Sequence, residues 1–142
     1  MREVDVVNAK TLRTLRDGRQ RAIALPAAPP SSMTARAFAH DALQHWQLAD
    51  LSDDVRLIVA ELVTNAMLHA TGPINLILDL RDQGVRVEVI DESPTMPTTP
   101  PPSMTGTNGR GLAIVAALSC EWGVDRLPTG GKSIWADISR DL

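Results

Sequence analysis

The apolar positions of this chain follow two periods, and the switches between them mark its elements. Over residues 33–47, Ala35, Phe38, Ala39, Ala42, Leu43 and Trp46 recur at steps of three and four. That spacing predicts a helix with one buried face, and Ser31-Ser32 ahead of it are of the type that caps helix starts. A second helix is expected from Ser52, an N-cap type followed by Asp53 and Asp54, where the helix dipole favours negative charge. Its stripe is Val55, Ile58, Val59, Leu62, Val63, Ala66 and Met67, and Thr71-Gly72-Pro73 ends it. The period then drops to two. Ile74, Leu76, Leu78 and Leu80 alternate with other residues, as do Val85, Val87 and Val89, with Asp82-Gln83-Gly84 as a hairpin turn between them.

Shorter signals complete the order. A strand over Arg19 to Leu25 precedes the first helix and is ended by Pro26, Pro29 and Pro30. A third helix runs from Leu112 to about Glu121, followed by strands from Trp122 to Arg126 and Lys132 to Ile138 around a turn at Pro128 to Gly131. No segment repeats. The order β-α-α-β-β-loop-α-β-β predicts an α+β fold: a two-layer sandwich with a mostly antiparallel mixed sheet and helices on one face. A chain of 142 residues suits one domain, here residues 19–142, with residues 1–18 as a basic arm.

Composition narrows the class. Apolar residues reach 44%, a globular value, and with one Phe and no Tyr the core must rest on Leu, Ile, Val and Ala. A formal net charge of -3 argues against general nucleic-acid binding. The first 22 residues hold six Lys/Arg and three Asp/Glu, a net of +3, which leaves -6 for the rest. Such an arm suits an acidic partner or a solvated tail. A single cysteine, Cys120, excludes an internal disulfide and fits a reducing, cytoplasmic setting. It is expected as a small buried side chain in the third helix. No apolar run approaches the ~20 residues that span a membrane, and the N-terminus lacks the pattern of a signal peptide.

Three clusters carry candidate chemistry. In Glu61-Leu-Val-Thr-Asn65-Ala-Met-Leu-His69-Ala70, the residues Glu61, Asn65 and His69 lie four apart and line one helical face. A carboxylate and an amide oxygen one turn apart suit Mg²⁺, which takes few protein oxygens and keeps waters and phosphates. A solvated helix face would read the same way. In Val87-Glu-Val-Ile-Asp91-Glu92-Ser93-Pro94, a carboxylate ends a strand and can accept from an exocyclic amine such as that of adenine. An Asx turn before Ser-Pro would also place Asp there. In Gly106-Thr-Asn-Gly109-Arg110-Gly111-Leu112, glycines open a helix, so backbone N–H groups and the positive helix end suit phosphate. Between the last two clusters, Glu92 to Asn108 holds Pro94, Pro97, Pro100, Pro101 and Pro102 and reads as a mobile lid.

In that order, E-L-V-T-N-A-M-L-H-A, V-E-V-I-D-E-S-P and G-R-G-L-A-I-V resemble the GHKL superfamily of ATP-binding domains, over roughly Ala22 to Ile138. More closely, they resemble anti-sigma-factor serine kinases of the RsbW and SpoIIAB type. The resemblance implies the Bergerat ATP-binding fold with ATP and Mg²⁺ as cofactors. Asn65 would hold Mg²⁺, Glu61 would orient or deprotonate the attacking hydroxyl, and Asp91, beside Ser93, would recognise the adenine amine. Gly109, Gly111 and the backbone near Leu112 would cradle phosphate with help from Arg110. Ser133 stands where the family often has a Thr that supports the adenine pocket. The implied activity is a Mg-ATP-dependent protein serine/threonine kinase. Its implied partners are a sigma factor and an anti-sigma-factor antagonist, with homodimerisation usual in the family. Asp91-Glu92-Ser93-Pro94-Thr95 departs from the usual D-x-G-x-G by placing Ser93 and Thr95 at the glycine positions. That departure leaves a second reading open: a module that sequesters a partner without kinase activity. Asp91→Asn is expected to weaken adenine binding and spare the fold, since a strand-end Asp is seldom a core residue.

Overall fold

The computed structural model describes residues 12–15, 18–94 and 107–140, with side chains described over 18–94 and 112–140. The elements are β1 (Leu12–Leu15), β2 (Gln20–Leu25), α1 (Pro30–His45), a 3₁₀ turn (Ala49–Leu51), α2 (Ser52–His69), β3 (Ile74–Arg81), β4 (Gly84–Asp91), α3 (Thr107–Leu118), β5 (Glu121–Arg126) and β6 (Lys132–Ser139). Among the described residues, six strands form one sheet in the order β1-β2-β3-β4-β6-β5. Every pair among them is antiparallel. The sheet is therefore not mixed: β5 and β6 form a hairpin that returns antiparallel to β4.

The helices lie on one face, and the core fills the gap. The stripe predicted for α2 supplies Val55, Ile58, Val59, Leu62, Val63 and Ala66, all fully buried. They meet Leu76, Leu78, Val85, Val87 and Val89 from the strands and Ala35, Ala39, Ala42 and Leu43 from α1. Leu62→Ala is expected to cost about 2–5 kcal/mol by leaving a cavity in this layer, read from the shift of the urea unfolding midpoint. Among the described residues, no helix is long and apolar enough to cross a membrane.

Several local expectations are corrected. α1 starts at Pro30, whose fixed φ suits the first helical turn, and no side chain caps it. Ser31 instead donates to the Pro26 carbonyl at 2.6 Å. Ser52 does not cap α2 either; its hydroxyl is 3.1 Å from His40 Nδ1. β1 lies within the segment read as a basic arm and pairs with β2 from Leu12↔Ile23 to Leu15↔Gln20. Its hairpin signal was Asp17-Gly18, with Gly18 at φ 80°, where glycine has no steric cost. Trp46 closes over this hairpin, donating from Nε1 to the Gly18 carbonyl at 2.8 Å. Cys120 is exposed and sits just past α3, its thiol donating to the Asp137 carbonyl. The helix ends at Leu118, so the cysteine falls outside its buried stripe.

Candidate functional site

Short connections bring three chain segments to one end of the sandwich. α2 ends at His69, and β3 starts five residues later at Ile74. The pairing Asn75↔Ile90 sets the start of β3 beside the end of β4, and Asp91↔Lys132 sets the start of β6 there too. The turn after α2 also reaches this end: a Cβ built on Gly72 would lie 3.0 Å from the Glu92 carboxylate. The chain just past α3 is tied to the other end, since the Cys120 N–H donates to the Asp137 carbonyl at 2.8 Å. Asp137 lies about 17 Å along β6 from Lys132 at the usual strand rise. The twelve residues of α3 span about 18 Å, long enough for its first turn to reach the Lys132 and Asp91 end of the sheet.

Strand parity decides which side chains enter this end. Val85, Val87 and Val89 face the helices, so Asp91 does as well; Ile134, Ala136 and Ile138 carry Lys132 with them. Asp91 is only 1% exposed and Lys132 is 0% exposed. Lys132 Nζ donates to Asp91 Oδ1 at 2.9 Å, and the Ser93 N–H donates to the same oxygen at 2.8 Å. Asp91 Oδ2 is buried and meets no hydrogen-bond partner among the described residues. Gly131 makes the approach possible. A Cβ there would fall 2.2 Å from the Asp91 carbonyl oxygen and 2.9 Å from Glu92 Cα. Asp91 thus does take the Asx-type bond to Ser93, and it is a core residue, contrary to the expectation for a strand-end Asp. Ser93 is buried beside it.

Ser133 has the opposite parity. It pairs with Ile90, and its hydroxyl donates to buried Glu88 on the face away from the helices. It does not reach the Asp91 side, so the support expected from Ser133 is corrected. The same outer face carries Arg86, which grips Asp137 through Nε and a terminal nitrogen at 2.7 and 2.8 Å and lies 4.2 Å over Trp135. The hydrogen bonds that Arg86 donates to Asp137 raise its pKa above the ordinary value.

On α2, Glu61 and Asn65 are half-buried and His69 is exposed. Asn65 Oδ1 is buried with no partner among the described residues, an amide oxygen left available to a cation or donor. No three His, Cys, Asp or Glu side chains gather as a metal site among the described residues. The donor set fits an ion that takes few protein oxygens and completes its shell from water and phosphate.

α3 begins at Thr107, earlier than expected, so Gly109, Arg110 and Gly111 lie within its first turns rather than in a loop before it. The first four N–H groups of a helix have no partner within it, so this stretch still presents donors to an anion. Leu112 is buried in the core, and Gly111 and Leu112 lie past the first four residues of α3, so their N–H groups are taken up by the helix and the phosphate contacts expected from them are corrected. Residues 95–106, which include Thr95 and most of the Pro-rich segment read as a lid, lie outside the described residues.

Lys132 was missed from sequence. Its signal was the alternation Lys132, Ile134, Ala136, Ile138, which puts the lysine on the apolar face and Ser133 on the other.

No curated protein matches the chain. A family model described as the histidine kinase-like ATPase domain matches residues 25–137, which run from the end of β2 to within β6 and hold all three clusters. The chain belongs to the histidine kinase-like ATPase domain family, the GHKL type of ATP-binding domain.

Proposed function

We propose that the protein is an anti-sigma factor and Mg-ATP-dependent protein serine kinase acting in the cytoplasm as a homodimer. The observation that carries this reading is a pair of buried oxygens without partners among the described residues, Asn65 Oδ1 and Asp91 Oδ2, in a domain of the ATP-binding family. Asp91 Oδ2 accepts the adenine amine. The free amides of the first turn of α3, which include those of Gly109 and Arg110, meet the phosphates, and the Arg110 side chain adds charge-assisted donors. Asn65 would hold Mg²⁺, which would supply neutralisation of the phosphate charge. Glu61, one turn from Asn65, takes the proton of a serine hydroxyl on the antagonist protein. The serine oxygen bonds to the γ-phosphorus as the bridge to the β-phosphate breaks, and ADP leaves. Phosphorylating the antagonist leaves the sigma factor in this protein's hold.

One observation favours a second reading. Ser93 stands at a usual glycine position and is buried beside Asp91. A side chain there crowds the base, which suits a module that sequesters a partner without chemistry. Calorimetric titration with ATP, with and without Mg²⁺, separates the two. Micromolar binding that requires Mg²⁺ is expected. Absence of binding at millimolar ATP would sink the kinase reading and leave the sequestering one.

A further inference from the structure

The buried ion pair behind the adenine acceptor does more than hold two strands together. An ammonium has three donors, and Lys132 is fully buried, where unmet donors are costly. Among the described residues, its one hydrogen bond goes to Asp91 Oδ1. That oxygen also takes the Ser93 N–H, while Oδ2 of the same carboxylate takes none. The pair therefore offers an open acceptor beside open donors, both inside the protein. The carboxylate is also fixed in rotation, because both of its bonds fall on one oxygen.

A ligand edge that completes this pair must carry a donor next to an acceptor. The Watson–Crick edge of adenine does so, with the N6 amine beside N1. We propose that Lys132 is a second base-recognition residue, donating from Nζ to adenine N1 while Asp91 Oδ2 accepts from N6. This rests on the reading of Asp91 as the adenine acceptor and adds a residue to it. Lys132 then acts on the ligand directly and also orients Asp91. A purely structural ion pair would do only the second.

The test couples an atom of the base to an atom of the protein. ATP, 1-deaza-ATP (which lacks N1) and 7-deaza-ATP (which keeps it) are titrated by calorimetry into the wild-type protein and Lys132→Met. In the wild type, losing N1 is expected to weaken binding about tenfold or more, the scale of a hydrogen bond to a charged group, while 7-deaza-ATP binds like ATP. In Lys132→Met, ATP and 1-deaza-ATP are expected to bind equally. If the wild type binds ATP and 1-deaza-ATP alike, the proposal is overturned. It is also overturned if Lys132→Met keeps the full penalty for losing N1 or binds ATP more tightly than the wild type. In each of those cases ATP binding itself stands. If the wild type binds no nucleotide, both this inference and the ATP reading fall. Should Lys132→Met not fold, the wild-type comparison of ATP with 1-deaza-ATP decides alone.

Discussion

Asp91→Asn is expected to lose both nucleotide affinity and stability. Asparagine matches the carboxylate in shape and keeps an oxygen for the Ser93 N–H and Lys132 Nζ. It removes the charge that faces a fully buried ammonium. Removing one partner of a buried pair is typically more damaging than removing both, because the remaining charge is stranded, and about 3 kcal/mol is the expected scale. The affinity loss is separate. Losing a charge-assisted acceptor to the adenine amine should cost about ten- to a hundredfold. Urea unfolding and ATP titration read the two effects. The double variant Asp91→Asn with Lys132→Met should recover most of the stability, since no charge is then left buried, and none of the affinity. If the single variant were as stable as the wild type, the ion pair would carry little structural weight.

Asn65→Ala should show the reverse pattern. Its Oδ1 is buried without a partner among the described residues. Truncation removes an unmet acceptor rather than breaking a bond, so stability should change by less than about 1 kcal/mol. Mg-dependent ATP binding and phosphoryl transfer should fall on the order of a hundredfold or more, the scale on which losing a preorganised charge-clamping group costs catalysis. Calorimetry with and without Mg²⁺, beside transfer from γ-labelled ATP, checks it. Unchanged Mg-dependent binding would remove Asn65 from the site. Unchanged partner control would remove support for the kinase.

The helices and central strands were legible because their signals are local. Val55 to Ala66 repeat at helical steps, and Ile74 to Leu80 and Val85 to Val89 alternate, so burial could be read within one window. β1 was not, because Leu12-Arg13-Thr14-Leu15 is short and charged, and its pairing with β2 gives it a place that composition does not advertise. Asn65 and Asp91 were singled out through motif order. Lys132 was not, because a strand-start lysine ordinarily reads as an exposed charge. Its burial depends on Asp91, 41 residues earlier in the chain. Ser133 was misjudged for a related reason. Position in a motif suggested a role, but pleat parity, set by Ile134, Ala136 and Ile138, assigned its side chain to the far face.

That parity also governs which changes in length the chain can absorb. One residue added to the turn at Pro128 to Gly131, with β6 sliding to accommodate it, would exchange Lys132 and Ser133 between the two faces of the sheet. The ammonium would then face Glu88, and Gly131 would stand opposite Asp91. Two added residues would restore the faces. Among relatives that keep this lysine, the turn should therefore vary in length by even numbers or not at all, so that indels there keep a reading frame of two.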